Sequence, residues 1–222
     1  MTILLPRSAL RNLDVGKAEL LCSAFAHHFG HHPDEATTLR EWAEAPFSVL
    51  ELLVCAQCCA GTIGDCLAVV VASKAAWRAL PFFEAKHPDD SRLRAALLRV
   101  DDRLAGQEVD AWDLRRGVAE ARAAWNAAGD DISTRAAEAV VLACTAAGES
   151  YVAETAARAC YCAECAIADD AADLDGAASA ERAQQRADFI SAIDQAEALA
   201  STIAATMDAM ERAAPFVWSG VE

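Results

Sequence analysis

The chain has 222 residues, enough for one large domain or two small ones with a real hydrophobic core. Its hydrophobic fraction is 55%, much of it alanine, and Val, Ile and aromatic residues are comparatively few; β-structure lacks its usual material, and an all-α fold is expected. The formal net charge of −15 repels phosphate backbones, which argues against nucleic-acid binding and favours a basic protein partner.

Ala18 to Phe29 reads as the first helix, stopped near Gly30 and Pro33. The opening "MTILLPRSAL" has no basic region followed by a long apolar one, so no secretory leader is expected. Asp34 to Ala45 reads as the second helix, ended by Pro46. Ser48 is placed to cap a third that runs to Ala60. The run Val49 to Ala72 is long and apolar, but Glu51, Gln57 and Asp65 interrupt it and Gly61 and Gly64 break it. Two buried helices joined by a short turn are expected there, and no membrane span. A fourth helix starts near Asp65 and continues to Lys86, with a kink or restart at Pro81.

Asp90 or Ser91 opens the next helix, which fades near Gly106. Val109 to Ala128 follows, with Trp112 and Trp125 expected as bulky core anchors. Ser133 to Gly148 and Ser150 to Ala168 are rich in small residues that let backbones approach closely. Residues 168 to 179 read as an acidic connection. In the last helix, 179–214, Phe189, Ile193, Ala196, Ala200, Ile203, Met207, Met210 and Ala214 alternate at spacings of three and four. That heptad-like seam suits packing along the chain's own bundle or a homodimer through this helix.

Candidate chemistry is sparse. Glu84 and His87 form an E-x-x-H, the spacing of di-iron bundles, but Pro88 follows at once and no second copy exists. In "HHFGHHPDE", His27 and His31, and His28 and His32, are four apart and could hold a metal on one helical face, although Gly30 and Pro33 disturb the helix there. Cys55, Cys58 and Cys59 share a face, as do Cys162 and Cys165, with Cys160 turned away. Across the long gap such pairs could bind zinc or act as a redox pair. The nine cysteines, an odd number lying in apolar helical runs, read better as reduced thiols used as small core residues in a cytoplasmic protein. There is no nucleophile elbow and no glycine-rich phosphate loop, so no catalytic residue and no cofactor are expected.

The segment Leu80 to Arg94, "LPFFEAKHPDDSRLR", reads as a corner between helices. Phe83 adds apolar mass to one helix end, His87 and Pro88 stop it, and Asp89 and Asp90 meet the unpaired N–H groups of the next. Arg92 and Arg94 are expected to pair with Glu84 or Asp89. The same stretch, through Ala79, Leu80, Pro81, Phe83, Glu84, Pro88, Asp90, Arg92, Arg94 and Ala95, resembles the signature of a class of predicted all-α immunity proteins of bacterial polymorphic toxin systems. The resemblance covers about Asp65 to Ala168, including "AEARAAWNAAG", and leaves residues 1–64 and the last helix outside it. The family commonly has Arg-Pro-Arg where this chain has Arg92-Leu93-Arg94.

The expected architecture is one all-α domain over residues 1–222, an antiparallel array of seven to nine helices ending in a long one. The resemblance implies a non-enzymatic immunity protein that binds and neutralises a cognate toxin. Asp130, Asp131, Asp169, Asp170, Asp173 and Asp175 are the candidate contacts for a basic toxin. The alternatives are a metal- or thiol-dependent module built on His27, His31, Cys162 and Cys165, and a structural partner-binding helical domain.

Overall fold

A computed structural model describes residues 4–5, 37–45, 47–60, 62–129, 131–148 and 152–213. The expected Ala18–Phe29 helix, the His27–His32 cluster and Asp130 lie outside the described residues.

Two two-residue strands, β1 (Leu4–Leu5) and β2 (Thr37–Thr38), pair antiparallel. Among the described residues everything else regular is helical: α1 (Leu39–Glu44), α2 (Val49–Ala60), α3 (Thr62–Glu84), α4 (Arg92–Leu104), α5 (Ala111–Ala127), α6 (Asp131–Ala146), α7 (Val152–Asp169) and α8 (Leu174–Ala213). The fold is an all-α bundle of eight helices among the described residues, with a long C-terminal helix.

Local chemistry explains most boundaries. The second helix begins later than expected because Thr38 caps it: its hydroxyl accepts from the Glu41 N–H at 3.1 Å, and the Glu41 carboxylate accepts from the Thr38 N–H at 2.7 Å. This reciprocal capping box holds the Glu41 carboxyl below its usual value through the Thr38 backbone hydrogen bond. Ser48 and Glu51 repeat the arrangement at the start of α2, as expected. Asp110 caps α5 by accepting from the Asp113 N–H at 2.7 Å. The acidic connection is shorter than read from sequence. Asp173 accepts from the Gly176 N–H at 3.1 Å, so α8 already begins at Leu174 and Asp175 lies in its first turn.

Helix α3 is the axis of the bundle and packs against α2, α4, α6, α7 and α8. It runs through Pro81 without a restart. Over Ile63–Glu84 it is also the one helix among the described residues long and apolar enough to cross a membrane, and 61% of its most apolar window is buried inside the bundle. Close packing comes from small side chains. Ala72, Ala75, Ala76 and Ala79 of α3 meet Ala136, Ala139 and Ala143 of α6 and Ala156, Ala159 and Ala163 of α7 in one core. Small contact residues bring helix axes together. Gly64 does the same for the α2–α3 pair, since a Cβ there would stand 2.8 Å from the Gln57 Cα and closer still to the Ala56 carbonyl.

One expectation about large side chains needs correction. Trp112 is 64% exposed, with the Arg116 guanidinium 5.2 Å from its ring centroid. It sits on the first turn of α5, beyond the reach of the core that Trp125 partly enters. Along α8, Phe189, Ala192 and Ile193 are buried in the chain's own core. That part of the seam packs along the chain's own bundle, one of the two arrangements its period suited. The side chains at Ile203, Met207 and Met210 lie outside the described residues.

A polar cluster interrupts the same α8 stripe. Arg78 of α3 donates through Nε and Nη2 to Glu181 at 2.8 and 2.7 Å and through Nη1 to Asp188 at 2.7 Å, and Lys74 lies 3.6 Å from Asp188. Glu181 and Asp188 are both buried. Burial lowers the Arg78 pKa, but the hydrogen bonds to the two carboxylates outweigh it and the net shift is upward. A second buried-edge pair orders α3 against α4: Asp101 accepts from Ser73 Oγ at 2.9 Å and from Trp77 Nε1 at 2.8 Å.

Candidate functional site

The corner after α3 is assembled from its own charged residues. Arg94 donates through Nε and Nη2 to the Glu84 carboxylate at 2.8 and 2.6 Å, and its guanidinium stands 5.6 Å from the centroid of Trp77. Arg92 pairs with Asp90, not with Asp89 or Glu84 as expected. Its Nε donates at 2.8 Å and its Nη2 at 2.5 Å, while its backbone N–H reaches Asp90 Oδ1 at 3.1 Å. The Arg92 side-chain hydrogen bond holds the Asp90 carboxyl below its ordinary range. Asp89 makes no capping bond among the described residues, because Asp90 alone reaches the first N–H of α4. His87 stacks on Phe83 at 4.6 Å between ring centroids, and its Nε2 lies 3.1 Å from the Ala128 carbonyl oxygen just past the end of α5. Pro81 and Pro88 bracket this turn. The corner residues tie the α3–α4 turn to the end of α5, and their polar groups mostly serve the fold.

The acidic candidates divide. Asp169 pairs with Arg135 at 3.1 Å, and Asp173 caps α8, so both have structural work. Asp170 and Asp175 are exposed and have no partner among the described residues. Asp131 is exposed at the first position of α6. The fold brings Asp169, Asp170, Asp173 and Asp175 to one end of the bundle, at the α7–α8 connection.

Among the described residues, half of the cysteines lie in the core, and the side chains of Cys58 and Cys59 lie outside the described residues. Cys55, Cys144 and Cys160 are buried, Cys162 and Cys165 are half-buried, and Cys66 is exposed. Burial pushes the thiols of Cys144, Cys160 and Cys162 up to about 12, which leaves them protonated and poor nucleophiles. Among the described residues no group of three or more His, Cys, Asp or Glu side chains is gathered to hold a metal ion.

Sequence reasoning missed a cavity of about 660 Å³ between α2, α7 and α8. Phe47, Val54, Ala157 and Cys160 give it apolar walls, with Leu50 and Tyr161, 42% and 65% exposed, at its edge. Phe47 is held in place by stacking on Trp42 at 4.6 Å between centroids. The rim charges are engaged. Arg182 pairs with Glu164 at 3.3 Å, Arg158 approaches Glu138 at 3.6 Å, and Arg186 donates to the carbonyls of Ala43, Ala45 and Phe47. Burial raises the Glu164 carboxyl above its usual value, against the pull of Arg182. Gln185, 1% exposed, reaches the cavity from α8. Its amide nitrogen donates to the Cys160 carbonyl at 3.0 Å and to Glu181 Oε1 at 2.9 Å. The signal available in the sequence was the polar triplet Glu181, Gln185 and Asp188, standing in the stripe that continues as Ala192 and Ala196.

No family model, no curated protein and no solved structure matches the chain. The likeness to immunity proteins therefore rests on the residues quoted for it.

Proposed function

We propose that the chain is a non-enzymatic immunity protein, acting in the cytoplasm by binding a basic toxin and needing no cofactor. The observation that carries this reading is the pair of exposed, unpartnered carboxylates Asp170 and Asp175 on the surface of a chain with net charge −15. Groups whose charge is not neutralised within the fold act on an approaching cation at the range of the Debye length, about 8 Å at physiological salt. They can meet a partner without loss of internal contacts. Asp169 and Asp173 would support that surface indirectly, by holding the α7–α8 connection.

The test is co-expression with the product of an adjacent toxin gene. Immunity predicts rescued growth and a complex that co-purifies. Asp170→Asn with Asp175→Asn should slow association and weaken its salt dependence while leaving the melting temperature unchanged. A toxin that kills equally well with and without this protein would rule the function out.

A further inference from the structure

The cavity between α2, α7 and α8 falls in the size range of small-molecule sites, roughly 300 to 1,000 Å³. Its walls suit an apolar body. Phe47, Val54 and Ala157 line it, and Leu50, 42% exposed, carries the apolar surface out to its edge.

The mouth carries the charge. Arg158 of α7 and Arg182 of α8 both border the cavity. Arg158 has Glu138 beside it, 3.6 Å from Nη2 and beyond hydrogen-bond length. Arg182 spends Nε alone, on the Ala178 carbonyl and the Glu164 carboxylate, each at 3.3 Å. The other guanidinium N–H groups of both residues have no partner among the described residues. The side chains of Arg158 and Arg182 are 69% and 59% exposed, whereas that of Glu164 is 18% exposed and faces Arg182. The mouth therefore presents an incoming ligand with N–H donors and positive charge. With Arg186 and Glu154 included, three guanidiniums stand against two carboxylates among the described lining residues. That leaves one positive charge at the border of an apolar chamber, on a chain whose net charge is −15. Exposed charges more than a Debye length away, about 8 Å in physiological salt, are largely screened, so the local excess governs. A guanidinium fork matches the two oxygens of a carboxylate, and a single positive excess matches its single charge.

We propose that this cavity binds a small amphiphilic monocarboxylate, with its apolar body against Phe47, Val54 and Ala157 and its carboxylate at Arg158 and Arg182. Such binding is independent of toxin neutralisation, and its test needs no toxin.

The probes are octanoate, butyrate and 1-octanol. Titration calorimetry on the full chain in physiological salt should show saturable binding of octanoate. Butyrate keeps the head group and loses most of the apolar body, and should bind weaker by about tenfold or more. 1-Octanol keeps the apolar body and loses the charge, and should also bind weaker by about tenfold or more. Arg158→Gln combined with Arg182→Gln should bring octanoate to within about twofold of 1-octanol, with the melting temperature unchanged because both side chains are largely exposed. Ala157→Trp, which sets an indole ring at the cavity wall, should weaken octanoate and 1-octanol alike. Should either variant fail to fold, the three wild-type titrations still decide the matter. Absence of saturable octanoate binding, butyrate or 1-octanol binding as tightly as octanoate, a folded double variant that keeps the wild-type preference, or undiminished binding to a folded Ala157→Trp would each overturn the proposal.

Discussion

Replacing Gly64 with alanine sets helix propensity against packing, and the two predict opposite signs. Glycine inside a helix costs about 1 kcal/mol relative to alanine, so propensity alone makes Gly64→Ala stabilising. The packing at this position says otherwise. The added Cβ would stand 2.8 Å from the Gln57 Cα and nearer still to the carbonyl of Ala56, in both cases backbone of the facing helix. No rotamer change can relieve a contact between Cβ and backbone. Helices α2 and α3 would have to separate by about 1 Å, and a gap of that size forfeits up to half of each dispersion contact across the interface. Overpacking of this kind costs about 3 kcal/mol, at the upper end of its usual range. Less the propensity gain, the variant should be less stable by about 2 kcal/mol, or about 4–8 °C in melting temperature for a chain of this size. Chemical denaturation followed by far-UV circular dichroism measures it. Gly148→Ala is the control: its nearest neighbour would be Thr145 O at 3.8 Å, an ordinary contact, and stability should hold or rise slightly. A Gly64→Ala protein as stable as the wild type would refute the close approach of the two helices.

Arg78→Met leaves the buried Glu181 and Asp188 without their main counter-charge and should cost about 3–5 kcal/mol in denaturant unfolding, far more than removing an exposed pair. Asp90→Asn tests the corner through pH. The folded Asp90 carboxyl lies below its ordinary value of 3.8, so its stabilisation is present above that pH and fades as pH falls through the folded value. The variant should therefore trail the wild type by at most about 1 kcal/mol near neutrality, given the exposure of Arg92, and the gap should close in acid. Alkylation followed by mass spectrometry should label Cys66 in the native protein and leave Cys144 and Cys160 unlabelled until denaturant is added. Rapid native labelling of Cys160 would contradict its burial.

The sequence by itself determined the class of fold and much of its punctuation. Ala-rich runs without β-formers leave the chain few alternatives to helices, and Ser48 and Pro88 mark helix ends because capping and φ constraints act over three or four residues. Glu84 and Arg94 were legible as a pair for a related reason, since they flank one short turn. What remained illegible depended on contacts far apart in the chain. Arg78 meets Glu181 across 103 positions, and no local pattern announces that a lysine–arginine edge of α3 faces α8. The choice between core and surface for Trp112 was set by where α5 begins relative to its neighbours, which hydrophobicity does not encode. The seam of α8 showed its period in the sequence, but only packing decided that Phe189 and Ile193 serve this chain rather than a second copy. The cavity is the extreme case. It exists because α2, α7 and α8 splay beside Gln185, and an empty volume is a property of the arrangement of helices, carried by no residue alone.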